Sequence, residues 1–244
     1  MLSIKEITYA FGNTEPIIKH GTMEVKQGEF VSVIGPSGSG KSTLFRLITG
    51  LLEPNQGKIV IGNQTSANRL GMVGYMPQKD LLLPWRTVLE NIVIPIEVTK
   101  KNKLVKLPEI REWLVRFGLA KYENSYPHEL SGGMRQRVAF LRTLMTGKDL
   151  LLLDEPFGAL DSLTKRNMHN WLLGLWGELQ KTVLFITHDL EEAILLSDRI
   201  YLLHVDGSSL QEIKVTLPRP RTSELIYQPD FIKIRKELEQ LIHG

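Results

Sequence analysis

Apolar and polar residues alternate over 4–11 and 17–25, and an apolar run broken only by Ser32 fills 30–34. Alternation puts the apolar side chains on one face of a pleated strand, whereas a continuous run marks a parallel strand covered on both faces. A glycine-rich stretch follows, and residues 41–51 take up helical spacing. Short strand patterns return at 58–61 and 72–75. From 87 to about 147 the pattern is mostly helical, with breaks expected at Pro95, Pro108 and Pro127, because proline has no N–H to give a helix. Strands are expected at 150–153, 182–186 and near Ile200 and Ile213, with helices over about 163–179 and from Leu190. Residues 217–221 read as extended, since a residue preceding proline avoids the helical region. Residues 230–242 place Phe231, Ile234, Leu238 and Leu241 on one helical face. Strands alternating with helices predict an α/β domain over 1–217 with a mostly parallel sheet, an antiparallel β part at its N-terminal end and a helical subdomain inserted at about 87–147. A short tail with a terminal helix occupies 218–244, and no internal repeat is visible.

Composition narrows the setting. With 42% hydrophobic and 23% charged residues, the 244-residue chain can bury a sizeable core. A formal net charge of +3 is too small to argue for nucleic acid, and it suits a surface resting on an anionic inner leaflet. The absence of cysteine excludes disulfides, thiolate chemistry and cysteine-bound metals. The first residues read as a strand and not as a signal peptide, and no apolar run approaches the ~20 residues of a membrane span. A soluble, cytoplasmic chain is expected, so any membrane path must come from another chain.

The glycine-rich stretch carries chemistry. Gly35-Pro36-Ser37-Gly38-Ser39-Gly40-Lys41-Ser42 fits G-x-x-x-x-G-K-[ST], entered from an apolar strand and left through a helix. Small residues let the backbone wrap phosphates, and the helix N-terminus adds positive partial charge. Lys41 would reach the β- and γ-phosphates of ATP, and the Ser42 hydroxyl would bind Mg²⁺. The strand at 150–153 ends in Asp154 and Glu155. Asp154 would help hold Mg²⁺, and Glu155 could polarise the attacking water. Ser131 precedes Gly132 and Gly133 and would cap the following helix, where two glycines let a phosphate approach exposed N–H groups.

The run Leu130-Ser131-Gly132-Gly133-Met134 resembles the LSGGQ signature of the ABC family, with Met134 where glutamine is commoner. Further positions are similar to that family over about residues 1–205. Gln78 resembles the Q-loop glutamine that senses Mg²⁺ and water. Residues 158–161, ending in Asp161, resemble the D-loop, and His188 resembles the switch histidine that contacts the γ-phosphate. Phe11 stands where the family stacks an aromatic on adenine, although it could instead be a core residue of a strand. The resemblance implies a RecA-like phosphate-loop NTPase core and an ATPase whose nucleotide contacts include Gly35, Ser37, Gly38, Ser39, Gly40, Lys41, Ser42 and Thr43. It also implies a head-to-tail homodimer, with each ATP between one phosphate loop and the partner's copy of the 131–133 segment.

Residues 83–91, and again 217–221, are similar to bacterial importers for nitrate, sulfonates, taurine and thiamine pyrimidine precursors. That likeness implies a separate membrane permease and indirectly a solute-binding protein. It also implies a peripheral place on the cytoplasmic face and a small anion or pyrimidine-type nutrient as cargo. Leu82, Leu83 and Trp85 would then border the cleft for the permease, unless they fill the core of the helical lobe. ABC proteins acting on DNA or ribosomes carry paired nucleotide units, a coiled coil or zinc cysteines, and exporter motors are usually fused to membrane helices. Neither pattern is seen here, and Glu155 with His188 argues against a module that only binds.

Overall fold

The computed structural model describes residues 1–62, 68–99, 103–204 and 210–243. At its centre lies β3 (Phe30–Ile34), buried along its whole length, as its apolar run requires. Parallel partners flank it: β7 (Thr182–Ile186) on one side, then β6 (Leu150–Asp154) and β5 (Gly74–Met76), and β8 (Arg199–Leu203) on the other. Only the edge strand β9 (Leu210–Lys214) runs antiparallel. A second sheet of β1 (Leu2–Tyr9), β2 (Ile18–Val25) and β4 (Gln56–Ile61) is antiparallel, with β1 in the middle.

Register decides where the chemistry gathers. Val33, Ile186 and Asp154 stand in one row across β3, β7 and β6, and Met76 of β5 pairs with Leu153. The loops leaving β3, β5, β6 and β7 therefore emerge together at the carboxyl edge of the sheet. Open α/β sheets place their ligands at that edge. Helix α1 (Lys41–Thr49) begins there.

Between β5 and β6 come α2 (Val88–Ile92), α3 (Ile94–Val98), α4 (Lys103–Arg116) and α5 (Gly132–Leu144). The expected lobe at 87–147 includes 100–102, which lie outside the described residues. Pro95 does sit in the first turn of α3, and Pro127 opens a short 3-10 turn. Pro108, however, lies inside α4 and does not break it. Near the start of that helix it forfeits one backbone bond, and burial of Ile110, Leu114 and the following Phe117 holds the helix in place. Phe117 meets Phe140 of α5 and Trp171 of α6 (Ser162–Leu179) at centroid distances of 6.0 and 4.8 Å, so the helices share one apolar core with β6 and β7.

After β7, α7 (Leu190–Leu196) packs on the sheet, and α8 (Pro229–His243) packs on α7 through Phe231, Ile234 and Leu238. Residues 217–221, expected to be extended, bend at 219–220, where the Arg219-Pro220 peptide is cis, and the arginines at 219 and 221 serve α7. Arg221 is buried and donates to the carbonyls of Ile194 and Ser197, while Arg219 donates to Leu196 O. Cations at helix carboxyl ends satisfy orphan carbonyls and oppose the helix dipole. Burial pushes the Arg221 guanidinium down to about 10, with Arg219 beside it acting the same way and Asp198 opposing. Among the described residues no helix is long and apolar enough to cross a membrane.

Candidate active site

The phosphate loop is a tight backbone cradle. Gly35 has φ 156°, and a Cβ there would stand 2.4 Å from Leu203 O. Gly40 has φ 99°, and a Cβ would meet Ile17 at 2.7 Å. Side chains at either position would force the loop open. Lys41 folds back over the loop, donating to Gly35 O at 2.8 Å and Pro36 O at 2.9 Å. Burial lowers its pKa, against the pull of Glu155 and Asp154. The Ser39 hydroxyl is buried with no partner among the described residues, a polar atom left for a ligand inside the cradle.

Asp154 closes β6 and is buried. Its carboxyl is raised above the usual range chiefly by burial, with Glu155 adding to the effect, and it is partly restrained by Tyr75, Lys41 and Ser42. The Tyr75 hydroxyl donates to Asp154 Oδ2 at 3.2 Å, and burial with that neighbouring charge pushes the phenol up to about 12. Sequence reasoning missed this contact. Tyr75 is in register with Leu152 on β6, so it becomes a neighbour of Asp154 only once β5 and β6 are known to pair.

Glu155 is held in the left-handed region at φ 43°, a conformation that costs a non-glycine residue ~1–3 kcal/mol. The kink turns its carboxylate back to the sheet edge, where Gln78 Nε2 donates to Oε2 at 2.9 Å and His188 Nδ1 lies 3.3 Å from the same oxygen. Side chains from the loops after β5, β6 and β7 thus converge on one atom.

The 131–133 segment stands apart from this cluster. Ser131 caps α5 by accepting the Met134 N–H at 3.3 Å. Cβ atoms on Gly132 and Gly133 would meet Leu160 at 3.3 Å and Thr164 at 2.9 Å, so the segment rests on the start of α6, which Asp161 caps. Among the described residues, no hydrogen bond joins it to the phosphate loop. Phe11 lies past the end of β1, 43% exposed and edge-on to Tyr9, and so is not a core residue.

The sequence profile described as ABC transporter matches residues 18–158. The chain belongs to the ABC transporter family. Formylaminopyrimidine import ATP-binding protein ThiZ of Halalkalibacterium halodurans is 50% identical over 202 residues, 83% of this chain and 79% of that protein. The aliphatic sulfonates import ATP-binding protein SsuB of Bacillus cereus is 38% identical, covering 100% of this chain and 96% of its own length. Among solved structures, a dimeric post-hydrolysis state of the ATP-binding cassette MJ0796 bound to ADP and Pi superposes with TM-score 0.75 at 33% identity, covering 89% of this chain and 100% of that one. The cassette described here is the ATP-binding, ATP-hydrolysing subunit of an ABC importer, with the expected phosphate-loop NTPase core, antiparallel β part and mostly parallel sheet.

The loop ahead of α2 has its own order. Asp80 pairs with Arg135 at 3.2 Å, and Arg142 donates to the carbonyls of Asp80 and Leu81. Leu82 points into the core, Leu83 is half-buried, and Trp85 is 71% exposed. The alternative in which Trp85 fills the lobe is therefore excluded.

Proposed function

We propose that this cassette hydrolyses ATP as a head-to-tail homodimer, with Lys41, Gln78, Glu155 and His188 acting at the γ-phosphate. The convergence of Gln78 and His188 on Glu155 Oε2 carries this reading. The backbone of 35–43 and the Lys41 ammonium bind the phosphates, and Phe11 offers an exposed face to adenine. Glu155 takes a proton from the attacking water, oriented by Gln78, while His188 contacts the γ-phosphate. The partner's copy of the Ser131–Gly133 helix start closes over the same phosphate, with Asp161 beside the dimer seam.

Ser42, Asp154 and the Gln78 amide oxygen form an all-oxygen donor set, which fits Mg²⁺. Asp154 already faces Ser42, and Gln78 donates its NH₂ to Glu155, which leaves the amide oxygen free for a cation. A bound Mg²⁺ would neutralise developing phosphate charge.

The likeness to import proteins for formylaminopyrimidine and sulfonates, with the exposed Trp85 beside the Gln78 loop, supports the rest of the assignment. A membrane permease docks at Trp85, a solute-binding protein delivers a small anion or pyrimidine-type nutrient, and the cassette sits peripherally on the cytoplasmic face. The docking cleft then lies at the join of the core and the helical lobe of about 87–147, which begins just past Trp85.

Glu155→Gln tests the chemistry. ATP turnover should fall roughly 10²-fold or more while ATP binding persists, and light scattering should detect an ATP-trapped dimer. Full turnover by this variant would place the base elsewhere.

A further inference from the structure

A polar cluster lies beneath the loop that carries His188 and takes part in none of the steps above. Glu192 of α7 is only 3% exposed. Its Oε2 accepts the Thr187 hydroxyl, and its Oε1 lies 3.0 Å from His169 Nε2 and 3.3 Å from Lys165 Nζ. Thr187, 2% exposed, in turn accepts the Asp189 N–H on its hydroxyl at 3.0 Å. Asp189 caps α7 by accepting the Glu191 and Glu192 N–H groups and receives Lys165 Nζ at 3.3 Å. Both neighbours of His188 are thereby pinned, while the imidazole itself remains exposed.

The other half of the cluster belongs to α6. Lys165 and His169 stand on the helix that Asp161 caps, and the Phe157 ring packs edge-on against His169 at 5.4 Å. Burial works against the Lys165 charge, yet Glu192 and Asp189 outweigh it and raise its pKa. A carboxylate this deep loses its hydration and is kept only by close partners, so an apolar residue of similar size would fill the space more cheaply. Its presence at the root of a catalytic loop asks for a role beyond filling.

We propose that Glu192 is a positioning residue for ATP hydrolysis: through Thr187 it fixes the peptide bond that follows His188, and through Lys165 and His169 it ties that loop to α6. The proposal rests on the reading of His188 as the γ-phosphate contact. Misplacement of a catalytic group by about 1 Å can cost up to ~10²-fold, so a loosened loop should lower turnover without loosening the nucleotide cradle.

Steady-state ATP hydrolysis by the full chain tests this. Thr187→Val, which removes the hydroxyl and keeps the shape, should lower kcat about tenfold and leave the KM for ATP within about twofold. Thr187→Ser should recover most of the loss. In a His188→Ala background, Thr187→Val should cost less than about twofold more, because the group it positions is gone. Should Thr187→Val melt below the assay temperature, Glu192→Gln replaces it under the same criteria. The proposal is overturned if Thr187→Val keeps wild-type kcat, if KM rises as kcat falls, or if the loss persists undiminished without His188. Wild-type turnover by His188→Ala alone would instead sink the reading of His188 itself.

Discussion

Asn91 explains the conformation of the loop that presents Trp85. Its side chain is fully buried, with Oδ1 accepting the Leu83 N–H at 2.8 Å and Nδ2 donating to the carbonyls of Leu83, Arg86 and Thr87 at 3.2, 3.0 and 3.0 Å. Two N–H bonds serve three acceptors, so the net count is about three full hydrogen bonds at ~1 kcal/mol each. Asn91→Ala should therefore cost about 3 kcal/mol in urea unfolding, a fall of roughly 6–12 °C in melting temperature for a chain of this size. All four partners lie in residues 83–87, so the stabilisation gained on adding ATP should survive the substitution. A loss below about 1 kcal/mol would refute the view that this amide organises the loop. Loss of the ATP-induced shift would refute its separation from the nucleotide cradle.

Three other outcomes follow from positions already described. Trp85→Ala should leave stability within about 0.5 kcal/mol, since the ring is exposed, yet weaken co-purification with the membrane subunit by the ~2 kcal/mol of an aromatic anchor. Lys41→Ala should abolish most of the thermal shift given by Mg-ATP, which for the wild type is worth about 2.7 kcal/mol at a hundredfold excess over Kd. Tyr75 titrates near 12 in the fold against 10.0 when unperturbed, so its stabilising contribution is complete below about pH 10 and is lost as pH climbs toward about 12. Tyr75→Phe should flatten that alkaline fall, as measured by denaturant melts across about pH 8 to 12.

The parts of the fold most legible in the chain were those with one dominant cause. Residues 182–186 form a strand with the expected boundaries, because a strand buried on both faces is filled almost wholly by apolar side chains, here all but Thr182. The phosphate loop was equally legible, since glycine spacing reports a backbone shape directly. Less could be read where several causes compete. The Leu81–Trp85 stretch has no period, and Leu81 turns at φ 44°, so nothing in the order of residues separates the buried Leu82 from the exposed Trp85. Pro108 misled because a proline penalty is modest beside a buried apolar face. The Tyr75–Asp154 and His169–Glu192 contacts join residues 79 and 23 positions apart, and only the stacking of strands and helices reveals them.

The docking of the tail on α7 has a consequence for how the molecule breathes. Phe231 is wholly enclosed among Ala193, Ile194 and Ile213, and the arginines at 219 and 221 close the last carbonyls of the same helix. α7 cannot fray at its carboxyl end while those guanidinium groups hold it, and α8 cannot lift without uncovering the apolar side of α7. The amides of the two helices should therefore open as one cooperative unit. A nucleotide that quiets the loop ahead of α7 should then slow deuterium uptake in α8 as well, which would make that distant helix a reporter of site occupancy; unchanged uptake in α8 on adding Mg-ATP would refute the coupling.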